Sequence, residues 1–261
     1  MKKTGVWLLS VFFVFSLCYN VVANTGYDIK KAILNYEVQT NKDTIKNKKM
    51  KRQIIELAIR SHKKDVSTEE FETMKDIAVK SLVAIKNVGP EREFDPILNI
   101  PEYSVKEYIG MTRYKSMGTV YKGMFNIKFI RNLMKLLKMS DVVSGTFQKP
   151  EDPNFDYINF ANKENIVEIA VLRPRNIKKK EFLKERAKYL KQLQNEEEVK
   201  STHAFKTKWG FKNADVIVHF TVFKNKNSYE KFMNRADKLR YVNDFELKSE
   251  PLIRSFCTMI K

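Results

Sequence analysis

Hydrophobic and polar positions follow two different patterns between Asn165 and Leu193. From Ile166 to Leu172 the chain is apolar and mostly β-branched, with Glu168 as the charged exception, and Pro174 follows, as expected of a buried strand with a defined end. Beyond it, charged residues surround an apolar set at helical spacing: Phe182, Ala187, Tyr189, Leu190 and Leu193. The stretch therefore predicts a strand followed by an amphipathic helix.

A similar strand–helix unit occurs earlier in the chain, at Gln53–Leu82. The sequence IIELAI at 54–59 aligns with IVEIAV at 166–171, with Ile, Glu and Ala identical and conservative differences at the other positions. Phe71 and Leu82 then align with Phe182 and Leu193 after a slip of one residue. Because internal similarity indicates a repeated architecture, we predict two copies of one module.

The second copy shows the clearer order of elements. Its pattern predicts strands at 166–172, 202–211, 215–223 and 252–260, with helices at 179–195 and 228–239. This β-α-β-β-α-β order is that of a ferredoxin-like module, and the first copy shows it more faintly. We place the modules at 51–148 and 149–261, because the sequence KPEDPN at 149–154 is typical of a domain boundary.

The first 23 residues have the pattern of an export signal. Lys2 and Lys3 precede a short apolar run that ends at Leu17, and Val21–Ala23 resembles a small-residue cleavage site. An uncleaved membrane anchor is the alternative, since the run is near the lower length limit for a membrane span. We predict a signal peptide at 1–23 and a periplasmic or secreted protein. Cys257 would then be the one remaining cysteine, which excludes an intrachain disulfide.

The formal net charge of +18 would by itself suggest a nucleic-acid-binding protein. The basic residues are dispersed along the chain, however, and its start favours export, so nucleic acid is not a predicted partner. A basic N-terminal extension occupies 24–50. The lysine-rich part from Lys42 to Arg52 is either a solvated linker or a weak contact for the anionic surface of a membrane.

The strand IVEIAVLRP, the helical stretch EFLKERAKYLKQL that follows it and the order of elements together resemble the antibiotic biosynthesis monooxygenase-like modules of the dimeric α/β-barrel superfamily. The resemblance covers about Lys51–Lys261 and concerns element order, without a catalytic motif. It implies that two sheets lie face to face, usually in a homodimer and here within one chain. The predicted fold class is α+β, with two tandem ferredoxin-like modules packed sheet to sheet as an intrachain α/β barrel. Such a chain is a monomer with an internal pseudo-dimer, or a homo-oligomer.

The resemblance leaves two kinds of function open. Some members oxidise polycyclic aromatic compounds with molecular oxygen and without a cofactor, whereas others have no known activity. One hypothesis is thus an exported protein that binds a small apolar or aromatic molecule and oxidises it without a cofactor. The other is a non-enzymatic cell-envelope protein that uses the barrel for protein or lipid contact. The sequence has no Gly-rich phosphate loop, HExxH, CxxC or GxSxG motif, and its three histidines are too scattered to predict a metal site.

Strand alternation assigns candidate residues to faces of the sheet. Odd positions at 167–171 and even positions at 216–222 form fully apolar faces, which we expect to lie under the helices. The opposite faces carry Glu168 and His219, and we expect them to meet the partner sheet or to line a cavity. Because the first and third strands are neighbours in this fold, these two side chains can approach each other.

Two interpretations of this pair stay open. Glu168 can tune His219 for general-base chemistry, or the two can pair only because polar groups in a half-buried sheet need partners. Glu56 repeats Glu168, but the first copy has no histidine that matches His219, which would confine histidine chemistry to the second module. On the second strand, His203, Phe205 and Trp209 share one parity, and we predict that their side chains line the same space. The predicted catalytic residues are His219 and Glu168, and the predicted ligand-binding residues are Trp209, Phe205, His203 and Thr221.

Overall fold

The computed structural model describes residues 53–102, 107–212 and 215–261. Runs rich in β-branched and aromatic residues form eight strands in these ranges: β1 (Ile54–His62), β2 (Val88–Ile100), β3 (Glu107–Tyr114), β4 (Ser140–Pro150), β5 (Ile166–Pro174), β6 (Val199–Lys212), β7 (Ile217–Phe223) and β8 (Ser249–Met259). Six helices accompany them: α1 (Thr68–Val83), α2 (Met117–Met124), α3 (Ile127–Met139), α4 (Lys179–Gln194), α5 (Lys226–Ala236) and α6 (Arg240–Glu246). The predicted signal peptide and basic extension lie outside the described residues.

The eight strands close into one antiparallel barrel in the order β1-β3-β2-β8-β5-β7-β6-β4, with β4 paired to β1. The first half contributes the order β4-β1-β3-β2, and the second half contributes β8-β5-β7-β6. Two seams, β2 with β8 and β4 with β6, join the halves. The fold class is therefore α+β with a closed barrel, and the matching strand order is consistent with two ferredoxin-like modules.

The barrel interior is a packed apolar core to which both halves contribute. Its buried members include Ile55, Leu57, Ile59, Phe94, Ile109, Met111, Val167, Ile169, Val171, Phe205, Val216, Val218, Phe220, Val222, Ile253 and Cys257. Full burial of one such aliphatic or aromatic side chain stabilises the fold by roughly 1.5–3 kcal/mol. Side chains rather than a lumen thus fill the centre of the barrel.

The expected direction of the two strand faces is wrong. The fully apolar faces of β5 and β7, with Ile169 and Phe220, point into the barrel instead of lying under the helices. The mixed faces, with Glu168 and His219, point outward and are covered by helices. Both halves bury residues against the barrel interior, which favours the purely apolar face there, whereas a helix layer tolerates polar groups that find partners.

The chain that follows the predicted module boundary packs against the core of the barrel. Phe155, Tyr157 and Phe160 belong to the interior core. The Tyr157 hydroxyl donates a hydrogen bond to the carbonyl oxygen of Met111 at 2.6 Å, and the Gln53 side-chain amide donates to the carbonyl of Phe155 at 2.7 Å. The segment that links the halves is therefore part of the core, and the described residues belong to one compact unit.

Capping residues set the helix starts. Ser67 caps α1 in a capping box with Glu70, and Asn225 caps α5 through a hydrogen bond from the Ser228 amide, so Ser228 lies inside the helix. Among the described residues, none of the six helices combines the length and apolarity that a membrane-crossing helix requires.

Candidate active site

The predicted pair Glu168 and His219 lies on the outer face of the second-half sheet. Register pairs Glu168 with Thr221 and Ala170 with His219 across β5 and β7, so the predicted neighbourhood is present. All three polar side chains are buried, and the ring of Tyr189 from α4 lies 5.9 Å from the His219 ring, centroid to centroid. They occupy a packed layer between the sheet and the helices.

An ion-pair network holds Glu168. Arg254 on β8 pairs with Glu168 through its Nε and with Glu246 through its Nη1, the latter at 2.7 Å. Burial alone would raise the pKa of Glu168, but the positive charge of Arg254 and further hydrogen bonds keep it below the usual value. Glu168 is thus a buried carboxylate that Arg254 neutralises, which does not suit proton removal from a ligand.

His219 is buried without a polar partner. It is 1% exposed, and neither ring nitrogen has a hydrogen-bond partner among the described residues. Burial lowers the pKa of His219 to about 4, against the opposing effect of the Glu168 charge. The ring is neutral at pH 7 and packs among aromatic side chains, with Phe245 at 6.0 Å between centroids.

Two of the three β6 residues predicted to wall one space share a neighbour, because the ring of Phe155 lies 4.9 Å from that of His203 and 5.3 Å from that of Phe205. Phe205 points into the barrel, with its ring 4.5 Å from that of Phe220. Trp209 lies outside the barrel, with its ring 5.1 Å from that of Phe147. The register between β4 and β6 slips between Thr207 and Trp209, and this bulge reverses the inward–outward alternation. The shared parity therefore places His203 and Phe205 near each other, on Phe155, but does not place Trp209 with them.

His203 lies beside a surface groove of about 360 Å³ between α4 and β6. The groove is lined by Pro150, Asp152, Phe155, Ala187, Leu190, Lys191, Gln194, Asn195, Thr202, His203 and Ala204. The His203 ring packs 4.9 Å from that of Phe155, and burial lowers its pKa to about 4. Of the predicted ligand-binding residues, His203 is the one that lines this groove. Glu168 and His219 line neither this groove nor the cavity described next.

A smaller cavity of about 70 Å³ lies in the first half, between the outer face of the sheet and helices α1 and α3. Its apolar wall comes mainly from the helices: Phe71, Ala78, Val79, Leu82, Phe129, Leu133 and Leu136. Its polar wall comes from the sheet and α1: Glu56, Arg60, Lys75, Glu91, Glu93 and Thr112. The cavity thus has an apolar wall on one side and a cluster of ionisable groups on the other.

Glu56 is the counterpart of Glu168 but has a different environment. The Tyr114 hydroxyl donates a hydrogen bond of 2.5 Å to its Oε2. Burial raises the pKa of Glu56, and the hydrogen bond from Tyr114 and the charge of Arg60 only partly oppose it. Two glutamates at matching strand positions therefore differ: the pKa of Glu168 is lowered by Arg254, whereas burial raises the pKa of Glu56.

Glu91 is the second carboxyl group with a raised pKa in this cavity. Burial and the nearby charge of Glu93 raise the pKa of Glu91 to about 7, although Lys75 and Lys261 oppose the shift. Glu93 itself is paired with Lys75, and with Lys261 at 3.2 Å. A carboxyl group that titrates near neutral pH can both accept and return a proton, which is the property a general acid–base requires.

Glu91 was not among the predicted site residues; it lies in β2 directly after a register shift between Val88 and Glu91. Two features of the sequence could have indicated it. Glu91 and Glu93 are two residues apart, which places both side chains on one face of a strand, and Glu56 and Arg60 are likewise an even number of residues apart on β1. Across the described residues, no group of three or more His, Cys, Asp or Glu side chains is placed to hold a metal ion.

Comparison with known proteins connects this architecture to one fold family. No protein-family model matches the sequence, and no curated protein shows significant similarity to it. Among solved structures, an anthrone oxidase-like protein matches with a TM-score of 0.60 and 8% identity, covering 80% of this chain and 92% of that one. A provisionally assigned monooxygenase from Fusobacterium nucleatum matches with a TM-score of 0.51 and 13% identity, covering 80% of this chain and 93% of that one. The protein therefore shares its fold with these two solved structures.

Proposed function

We propose that the protein binds a small organic molecule in the first-half cavity and that Glu91 exchanges a proton with it. The observation that carries the proposal is the opposition of an apolar helix wall to two carboxyl groups, Glu56 and Glu91, whose pKa values burial raises. Perturbed carboxyl groups that converge on a cavity are a recurrent feature of active sites.

The size of the cavity limits the ligand. A cavity of about 150 Å³ holds a benzene molecule, so 70 Å³ accepts one ring only if α1 and α3 move outward. The proposed ligand class is therefore a compound with a single ring or a comparable apolar part and an acidic proton, such as a phenol or an enol. A polycyclic compound is too large for this space.

The proposed chemistry is cofactor-independent oxidation. Glu91 removes the acidic proton, and the electron-rich anion that results reacts with dioxygen, which is the oxidant. Conversion of a ring C–H of a phenol, or of the methylene group in the keto form of an enol, to a carbonyl consumes one dioxygen and releases one water. The fold shared with an anthrone oxidase-like protein supports the choice of this reaction class.

A matched pair of variants tests the site. Glu107 also has a pKa raised to about 7 by burial, but it does not line the cavity. With a panel of single-ring phenols and enols, we expect ligand-induced thermal stabilisation and dioxygen uptake to be lost in Glu91→Gln and kept in Glu107→Gln. Equal behaviour of both variants and the native protein would refute the assignment.

The surface groove is a second candidate for the ligand, because its 360 Å³ falls in the size range of small-molecule pockets. His203→Ala separates the two sites: loss of ligand stabilisation in this variant, with Glu91→Gln unchanged, assigns binding to the groove. If no compound stabilises the protein, the result favours the alternative function, namely a non-enzymatic cell-envelope protein that uses the barrel for protein or lipid contact.

We also propose that the halves arose by duplication and that the protein is exported. The common strand order and the matched Glu56 and Glu168 support duplication. The charged start, apolar run and Val21–Ala23 support export. Fractionation of cells that express a C-terminally tagged chain tests export, and recovery of the uncleaved chain in the cytoplasm would contradict it.

A further inference from the structure

Three large apolar side chains are exposed at the turn between α2 and α3, a region we call the α2–α3 corner (residues 121–128). Tyr121 is 47% exposed, Phe125 66% and Ile127 76%. Single exposed apolar residues are common on protein surfaces, but three within seven residues form a cluster, which marks an interaction site.

The corner is well defined by local hydrogen bonds. The Phe125 amide donates to the Tyr121 carbonyl at 3.1 Å, which ends α2. Asn126 then caps α3, because its Oδ1 accepts a hydrogen bond from the Phe129 amide at 2.9 Å. Phe129 turns inward and is buried, so Phe125 and Ile127 on either side of the cap are held outward. Their exposure follows from the backbone geometry of the corner.

Positive charge surrounds these side chains. The sequence from Lys115 to Ser140 contains six lysines and arginines and no acidic residue. Ile127, Arg131 and Lys135 follow one another at four-residue spacing on α3, and all three are exposed, so they form one outward stripe that begins apolar and continues basic. Lys128 is exposed next to Ile127.

We propose that the α2–α3 corner docks on a bilayer that contains anionic phospholipids. Phe125 and Ile127 enter the level of the headgroups and upper acyl chains, while Lys128, Arg131 and Lys135 contact lipid phosphates. Exposed aromatic and aliphatic side chains next to lysine and arginine are the combination that interfacial membrane binding requires. The complete lack of acidic residues across the corner and α3 favours this occupant over a protein surface of mixed charge.

A local probe tests the proposal independently of the N-terminal segment. The full chain is prepared with Cys18→Ser and Ile127→Cys, and an environment-sensitive dye is attached at 127; Cys257 is fully buried and does not compete. The matched control carries the dye at Leu247→Cys instead, a residue that is 72% exposed in the second half. We expect the dye at 127 to shift to the blue and brighten with phosphatidylglycerol-containing vesicles, but not with pure phosphatidylcholine, and the dye at 247 to stay unchanged.

Charge reversal supplies the second comparison. Lys128→Glu with Arg131→Glu should weaken the vesicle-dependent signal at 127 by about tenfold to a hundredfold in lipid concentration. Lys180→Glu with Lys184→Glu, which makes the same change at exposed positions of α4, should leave it unaltered. The proposal is overturned if the signal at 127 does not change with anionic vesicles, or if the dyes at 127 and 247 respond equally. It is also overturned if both charge variants lose the signal equally, or if the protein forms oligomers that bury position 127 in the absence of lipid.

Discussion

The carboxyl group of Glu91 occupies the space that a side chain on Gly110 would need. A Cβ at position 110 would lie 2.9 Å from Oε1 of Glu91, closer than such contacts occur. Gly110 on β3 faces the same cavity as Glu91 on β2. The absence of a side chain at 110 therefore lets a carboxyl group lie flat against the sheet, where burial raises its pKa.

Replacement of this glycine should move the carboxyl group without unfolding the protein. In Gly110→Ala the Glu91 side chain is flexible and can swing aside, so we expect the free energy of unfolding to change by less than about 1 kcal/mol. The pKa of Glu91 should fall towards the value of an exposed glutamate, which an NMR titration of its side-chain carboxyl carbon measures. Gly123→Ala is the control, since its new Cβ would meet neighbours only at 3.9 Å or beyond. An unmoved Glu91 pKa in Gly110→Ala would contradict the packing argument.

The raised pKa of Glu91 also predicts how stability depends on pH. The unfolded chain releases this proton near pH 4.5 and the folded protein near pH 7, so the folded state binds more protons between these values. Stability from this group is complete below pH 4.5 and is lost as the pH rises through 7, by at most about 3 kcal/mol. Urea unfolding of Glu91→Gln should show a smaller decline over this window. Glu107→Gln should remove another part of this pH-dependent loss of stability, because Glu107 titrates in the same pH range. A native protein whose stability rises steadily from pH 4.5 to 7, with no difference in either variant, would refute both assignments.

Loss of Arg254 should be severe. Arg254→Ala leaves the Glu168 carboxylate buried without its partner, and breaking a buried ion pair in this way destabilises a protein by about 3–5 kcal/mol. Arg240→Ala provides the surface comparison, since Arg240 is 94% exposed and pairs with Asp244 at 3.6 Å. We expect that variant to lie within about 0.5 kcal/mol of the native protein in urea unfolding. Addition of Glu168→Gln to Arg254→Ala should recover part of the loss; an unrecovered double variant would argue against the unpaired charge as its cause.

His219 should destabilise the protein in acid. The unfolded chain takes up the imidazole proton near pH 6.5 and the folded protein near pH 4, so stability is lost as the pH falls from 6.5 through 4, by on the order of 1–3 kcal/mol. His219→Leu should remove this loss and should unfold no earlier than the native protein at pH 7, because the ring nitrogens have no partners among the described residues. His203 contributes a second loss of stability between pH 6.5 and 4, and the variant His203→Leu measures that contribution separately.

The same variant examines the predicted catalytic role of His219. If ligand-induced thermal shifts and dioxygen uptake survive in His219→Leu, the histidine is a core residue and the Glu91 cavity keeps its assignment. Loss of both in a stably folded His219→Leu protein would instead restore the predicted Glu168–His219 site.

Local sequence patterns determined the elements and their neighbours. The β-branched runs at 54–59 and 166–171, the helical stripe through Phe182 and Leu193, and the matched Glu56 and Glu168 were sufficient to predict an α+β chain with two similar halves. The ferredoxin-like order of elements then predicted that β5 and β7 are adjacent, which the register of Glu168 with Thr221 confirms. These features depend on contacts within one element or between elements whose order the repeat sets.

Only the tertiary structure decided which face of each strand points inward and where ionisable groups meet. Strand alternation shows that Ile169 and Val171 share a face, but it does not show whether that face points into the barrel or towards the helices. Closure of the barrel placed the apolar faces inside. A single bulge then separated Trp209 from Phe205. Glu91 and Gly110 lie on different strands, and no local pattern encodes their approach. The raised pKa of Glu91 depends on burial beneath α1 and α3, which arises when these distant segments pack on the same sheet.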